Sequence, residues 1–229
     1  MNLSQDEIED LYAFTRLHFV EHYDLQTELV DHMSNDIESV WIKQPKLPYI
    51  EVRDKAFKKF GIFGFMDVVS KRQKAMGKRY HKYLWKELKR WFTLPKLVIT
   101  LSIGLGFYIL LSSTFATYVI IASYSIIAVW SLYKSFQLKR QFKNRKKVSK
   151  KKWMLEEMIF KQAGVSAILL ISQLPSAHRL SDTLLLSPTM IGVLSMFTTL
   201  IILWMYISFE ILPNKAEELL DETYPEFSL

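Results

Sequence analysis

Cysteine is missing from all 229 residues, which removes disulfides, thiolate zinc sites, iron–sulfur clusters and cysteine nucleophiles from the chemistry open to the chain. Glycine and proline are scarce, seven of each. No P-loop, Gly-x-Gly-x-x-Gly or Gly-x-Ser-x-Gly pattern occurs, so neither a phosphate-cradling loop nor a nucleophile elbow is encoded. Residues 1–93 nowhere alternate at period two for long, and no strands are expected there. Between 94 and 133 the only charge is Lys96, and between 134 and 152 there is no acid.

What is present is segregated. Residues 1–42 carry one basic residue, Arg16, against ten acidic ones, a net charge of −9. Residues 43–93 carry 15 basic and 4 acidic residues, a net of +11, and residues 134–152 hold ten Lys/Arg. The overall +7 is therefore two basic clusters, each abutting an apolar run, which is how a membrane protein distributes its charge.

Four segments are candidate spans. Leu94–Ser113 is twenty residues with one charge at its edge, and at about 1.5 Å per residue it matches the roughly 30 Å of a bilayer's hydrocarbon. Phe115–Lys134 follows after a short uncharged turn, so the pair is expected as a helical hairpin. A third segment, 155–174, has an apolar core of only twelve residues, Ala163–Leu174. It reaches span length by including Glu156, Glu157 and Lys161, so an interfacial or re-entrant helix competes with a span. The span is preferred because charges at one end can snorkel, and Pro175 to Ser187 then forms the outer loop. The fourth, Pro188–Leu212, is long enough to cross with some tilt. Both basic clusters then face one side, which the Lys/Arg bias makes cytoplasmic. The first fourteen residues hold four acids and no apolar core, unlike a signal peptide. The expected topology is a bacterial inner-membrane protein with both termini cytoplasmic and an acidic tail at 213–229.

Residues 1–70 read as a small helical domain. Ser4-Gln-Asp-Glu7 matches a capping box, with Ile8, Leu11, Tyr12 and Thr15 following at helical spacing. A second helix over Asp24–Ile42 has the stripe Leu29, Val30, Met33, Ile37, Val40 and Trp41. A third, over Pro48–Phe60, offers Val52, Ala56, Phe57 and Phe60, with Gly61 at the C′ position. A fourth starts near Phe63 and runs into the basic stretch. That stretch, 71–93, forms a basic amphipathic helix: Lys71, Arg72, Lys74, Lys78, Arg79, Lys82, Lys86, Lys89 and Arg90 interleave with aromatics including Trp85 and Trp91. Such a helix next to a span suits an anionic bilayer surface. Nucleic-acid binding uses the same residue types, and a solvated linker obeying the positive-inside rule shares them too; the bilayer surface is preferred. Lys139–Lys152 is expected to be a cytoplasmic loop whose position alone explains its charge.

Candidate chemistry is thin. His18 and His22 stand four apart beside Glu21, and Asp24, Glu28, His32 and Asp36 repeat at the same spacing. Such sets can bind a divalent ion, but the pattern equally describes the acidic solvent face of a helix, and that reading is preferred. Ser102 and Gly106, and Ala163 and Ala167, have the small-xxx-small spacing that lets helices approach. The spans lack the midplane ionisable groups and helix breaks of a transporter; Glu210 lies near a helix end. No catalytic, cofactor or metal residue is assigned.

The segment Glu21-His-Tyr-Asp-Leu-Gln-Thr-Glu-Leu-Val-Asp-His32, followed by Ile37-Glu38, resembles the acidic second helix of the HAAS signalling domain. This is an all-helical module of bacterial membrane proteins often paired with PadR-like transcription regulators. Glu51–Lys71 resembles the same family's helix–turn–helix element, although Phe60-Gly61-Ile62-Phe63 stands where the family usually has Leu-Gly-Asp-Pro. The resemblance covers about 70 residues. It implies a cytoplasmic sensor or adaptor domain on a membrane bundle, and no catalytic residues.

Together these readings predict an all-α, non-enzymatic membrane regulator: a helical domain (1–70), a juxtamembrane helix (71–93), a four-helix transmembrane domain (94–212) and the tail. Asp24, Glu28, Asp31, His32, Asp36 and Glu38 would dock a basic cytoplasmic partner, such as a PadR-like regulator, or would mask the chain's own +11 segment. No direct nucleic-acid contact is expected. The competing reading is a structural subunit or scaffold of a membrane transport or assembly complex. A third is a metal-dependent membrane enzyme using the His/acid stripes.

Overall fold

The computed structural model describes residues 3–161, 164, 168, 172 and 187–224, and within them all regular structure is helical. The chain divides into two compact units, residues 1–78 with 148–155, and residues 79–147 with 156–229.

In the first unit, Ser4 starts α1 (Gln5–Leu17) with the expected capping box: its hydroxyl accepts from the Glu7 amide at 3.3 Å, and its own amide donates to the Glu7 carboxylate at 2.8 Å. Helix α2 (Tyr23–Lys43) packs on both α1 and α3 (Tyr49–Lys58). Its stripe Leu25, Leu29, Met33 and Ile37 is sealed, joined by Leu11, Val52 and Ala56, and each large side chain so enclosed contributes roughly 1.5–3 kcal/mol. The Trp41 indole joins this core and donates to the Leu47 carbonyl at 3.0 Å, fixing the turn that Pro45 and Pro48 punctuate. Helix α4 (Met66–Arg90) begins three residues later than expected. Gly61 and Gly64, both at positive φ, shape the turn before it. Residues 148–155 return to this unit, where Trp153, Met154 and Leu155 are buried.

The second unit holds the rest of α4, then α5 (Lys96–Leu111), α6 (Ala116–Ser149), helical residues 156–161 of α7 (154–161), and α8 (Pro188–Tyr206). Helix α8 continues through a π turn (Ile207–Ile211) and a last turn, α9 (Leu212–Asn214), into α10 (Ala216–Thr223). Among the described residues, two helices are long and apolar enough to cross a membrane: Ala116–Ser149, with 34 residues, and Pro188–Asn214, with 27. The first expected span is shorter than its sequence suggests. Helix α5 has 16 residues, with Pro95 as its N-cap and Ser112 as its C-cap, about 24 Å at 1.5 Å per residue. The 155–174 segment and its outer loop fall mostly outside the described residues, so a four-helix transmembrane bundle is not established.

The basic stretch Lys139–Lys152 is not a loop. Helix α6 runs through it to Ser149, because Leu138 and Phe142 are buried there and Arg145 bonds Glu156 at 2.7 Å and Glu217 at 3.0 Å. The chain bends only at Lys150, at φ 53°.

Candidate functional site: the acidic face of α2 and the lysine face of α4

Helix α2 carries its acids along the side opposite the core, as the spacing predicts, but the face is unevenly available. Asp31 and His32 are exposed, while Glu28, Asp36 and Glu38 are half-buried. The Asp24 side chain is only 2% exposed. Its carboxylate accepts from the Met154 amide at 3.2 Å and faces Arg72 at 3.7 Å, and Arg72 also reaches Glu28 at 3.4 Å. Asp24 is thus not an accessible docking residue as it stands; burial of a polar group is tolerated where it has such partners. Further along, Asp36 pairs with Lys59 at 2.7 Å, and Glu38 accepts from the Leu3 amide at 3.4 Å. A cavity of about 260 Å³ opens here, with Leu29, Phe60 and Val68 beneath and Glu28, His32, Asp36 and Lys59 around it.

The start of α2 is covered by the chain's own basic segment. The Tyr23 amide donates to the Lys152 carbonyl at 2.7 Å, Lys152 pairs with Glu21 at 2.5 Å, and the Lys151 ammonium sits 4.4 Å from the centre of the Tyr23 ring. Trp153 meets the same ring edge-on at 5.3 Å. The Lys151 and Lys152 contacts place cations or their backbone beside Glu21 and Tyr23, in the middle of the −9 segment. This is charge masking within the chain, made by Arg72 and by residues 151–152.

Along α4, exposure separates the predicted surface residues into two sets. Lys71, Lys74, Lys78, Lys82, Lys86 and Lys89 are exposed, with Trp85 among them; their spacing places them on one side of a continuous helix. Met76, Tyr80, Tyr83, Leu84 and Leu88 are buried on the other side, and burial pushes the Tyr80 phenol up to about 12. The arginines serve the protein instead: Arg72 is engaged as above, Arg79 is half-buried, and Arg90 bonds Glu87 at 2.7 Å. Trp91 packs edge-on against Tyr206 at 5.8 Å, with the Lys96 ammonium 5.3 Å from its ring centre.

Several polar clusters escaped the sequence reading because their members are far apart in the chain. Asp10 accepts from Tyr49 at 2.8 Å and Arg53 at 3.0 Å, tying α1 to α3. Burial, and then the Asp10 hydrogen bond, raise the Tyr49 phenol well above its usual range. In the second unit Glu87 takes Lys215 at 2.8 Å as well as Arg90. Burial works against its charge, but the two cations outweigh that and hold the carboxyl below its ordinary range. Glu210, at the π turn, pairs with Lys134, so two ionisable groups at the edges of apolar stretches satisfy each other.

Helices α5, α6 and α8 bury a few hydroxyls beside apolar residues such as Leu111, Ile120 and Ile191, and they expose many apolar side chains. Ser131, Ser195, Thr198 and Thr199 are buried, their hydroxyls donating to carbonyls of their own helix at 2.8–2.9 Å. Leu101, Leu105 and Ile109 of α5, Ile126 and Val129 of α6, and Val193, Met196 and Phe197 of α8 are exposed. Helices α5 and α8 pack together, and a Cβ added at Gly104 would lie 3.6 Å from the Thr199 hydroxyl, whereas Gly106 of the small-residue pair faces open space. The Ala163/Ala167 pair lies outside the described residues.

The two imidazoles His18 and His22 do not share a helix: α1 ends at Leu17 and His22 is the N-cap of α2. Among the described residues no group of three or more His, Cys, Asp or Glu is arranged to hold a metal ion. No family model, curated protein or solved structure matches this chain.

Proposed function

We propose that the chain is a non-enzymatic regulatory protein of a bacterial inner membrane that couples a state of the membrane to a basic cytoplasmic partner through the acidic face of α2. The observation that carries this reading is that Arg72 and Lys152 already occupy the start of that face. A partner presenting Lys or Arg side chains has Asp31 and His32 exposed to land on, and it competes with Arg72 for Glu28. Because Arg72 belongs to the helix that bears the lysine face, displacing it loosens α4, and contact of those lysines with anionic lipid in turn alters the masking. Each cation near such a surface is worth about 1 kcal/mol, comparable with the exposed ion pairs it would trade against.

In this reading the helices that expose apolar side chains and bury a few hydroxyls are membrane spans. The outward apolar side chains suit lipid, and the inward hydroxyls satisfy themselves within their helices, as membrane helices require. Four spans, counting 155–174, place both termini in the cytoplasm. The HAAS-like pattern of residues 21–38 supports a sensor or adaptor role and a PadR-like regulator as one candidate partner.

The test is purification of the tagged protein from its native membranes in mild detergent, beside a Glu28→Lys/Asp31→Lys variant. A soluble regulator that accompanies the wild type and is lost from the variant is the expected result. A set of membrane subunits retained by both proteins would instead make the chain a scaffold or structural subunit of a transport or assembly complex.

A further inference from the structure

Two turns of the first unit expose large apolar side chains with an insistence that folding does not require. At the α1–α2 turn, Leu17 is 77% and Phe19 79% exposed; at the α3–α4 turn, Ile62 is 99% and Phe63 71% exposed. A lone exposed leucine means nothing, but these four belong together. The His18 ring lies 4.4 Å from the Phe57 ring and 5.9 Å from the Phe65 ring, so the first turn is packed directly on the base of the second.

Both turns are built to hold these side chains outward. Phe19 adopts φ 64°, a left-handed conformation that bulky residues avoid. It is kept there by its neighbours: the His18 ring nitrogen meets the Phe14 carbonyl at 2.8 Å, and the Val20 amide donates to the Thr15 carbonyl at 3.1 Å. Val20 itself is buried, its carbonyl taken by Gln26 at 2.7 Å. In the second turn Gly61 and Gly64 supply positive φ on either side of Ile62-Phe63, and the next residue, Phe65, is buried. Anchors point in and tips point out at both turns. Backbone strain maintained to expose an aromatic ring marks a surface with a use.

We infer that Leu17, Phe19, Ile62 and Phe63 form a two-turn apolar finger that inserts into the headgroup layer of an anionic bilayer. Charge chooses the occupant: exposed Arg16, Lys58 and Lys71 border the two turns against two exposed acids, Asp67 and Glu21, the latter paired with Lys152, and a net cationic collar around an apolar tip is the arrangement that anionic lipid attracts. This inference rests on the proposed membrane attachment, which brings a bilayer within reach of the domain, and the experiment separates the two.

The cysteine-free sequence allows single labels on the full chain. Ile62→Cys and, separately, Phe63→Cys carry an environment-sensitive fluorophore, with Val129→Cys on the exposed side of α6 reporting the proposed span and Gln44→Cys, at the opposite end of α3, reporting solvent. The proteins are placed in phosphatidylcholine–phosphatidylglycerol nanodiscs with and without spin-labelled lipid. The finger predicts loss of emission at 62, 63 and 129 and none at 44. Loss at 129 alone overturns the finger and leaves the span; loss at neither 62 nor 129 overturns both. A blue-shifted probe at 62 that lipid spin labels leave bright puts protein on the tip, a second copy or another subunit, and overturns the bilayer as occupant. Equal loss in pure phosphatidylcholine discs overturns the anionic assignment.

Discussion

Charged side chains in this protein are sorted by what they meet, and Glu87 shows the consequence most directly. Its side chain is 10% exposed and takes both Lys215 and Arg90. Because its carboxyl is held below the ordinary range, the stability it contributes is present above the unfolded carboxylate value and is lost as pH falls through the lower, folded value. Lys215 sits at the N-terminal edge of α10, so acidification is expected to loosen α10 first. Hydrogen exchange of the 216–223 amides checks this, and Glu87→Gln is expected to reproduce the acid behaviour at neutral pH, at a cost of about 1 kcal/mol after allowing for the part-exposed cations. Protection of α10 unchanged in the variant would show that the buried Leu219 and Leu220 alone hold it. The acids of α2 were recognisable from their spacing. That Asp24 is enclosed was not, because its partners Arg72 and the Met154 amide lie 48 and 130 residues away.

At the scale of single elements, local signals were faithful where they were local. The Ser4–Glu7 box, the stripe of α2 and the glycine ending α3 all depend on residues within one or two turns, and the helices follow them. The glycines also give a paired prediction. Gly64→Ala combines φ 53° with a Cβ placed 2.8 Å from the Phe57 ring, a ring fixed between Phe14, His18 and Phe65. Gly61→Ala has only its φ of 80° to overcome, with nothing within 4 Å. Thermal unfolding of the full chain should therefore show Gly61→Ala costing about 1 kcal/mol and Gly64→Ala clearly more, in the range of about 2–3 kcal/mol. Equal shifts would mean that the Phe57 ring yields without cost. Helix α6 is where pattern reading failed. Nine Lys/Arg in the fourteen residues Lys139–Lys152 read as a loop, yet Leu138, Phe142 and Arg145 find partners that keep the helix going to Ser149.

For the whole molecule, the count of crossings is the quantity on which orientation turns. The proposed four spans would place the C-terminus on the cytoplasmic side and the Ser113–Thr114 turn outside. Fusions to a reporter active only outside the cytoplasm are expected to be active after Ser113 and silent at the C-terminus. Activity at the C-terminus would remove the 155–174 span and make that segment interfacial. Residues 148–155, although they follow a long helix of the second unit, pack within the first; no window of sequence announces this, since it is decided by Trp153, Met154 and Leu155 finding the α2 N-terminus.

The helical character of the described residues, the segregation of charge and the long apolar helices Ala116–Ser149 and Pro188–Asn214 are properties of the sequence itself, because periodicity, capping and hydropathy act over a few residues at a time. Which acids stay accessible, where a basic run remains helical and which apolar turns are left facing outward were decided only by tertiary structure. Those outcomes depend on long-range pairings such as Asp24 with Arg72, Arg145 with Glu217 and His18 with Phe57, whose energies exist only once distant segments have met.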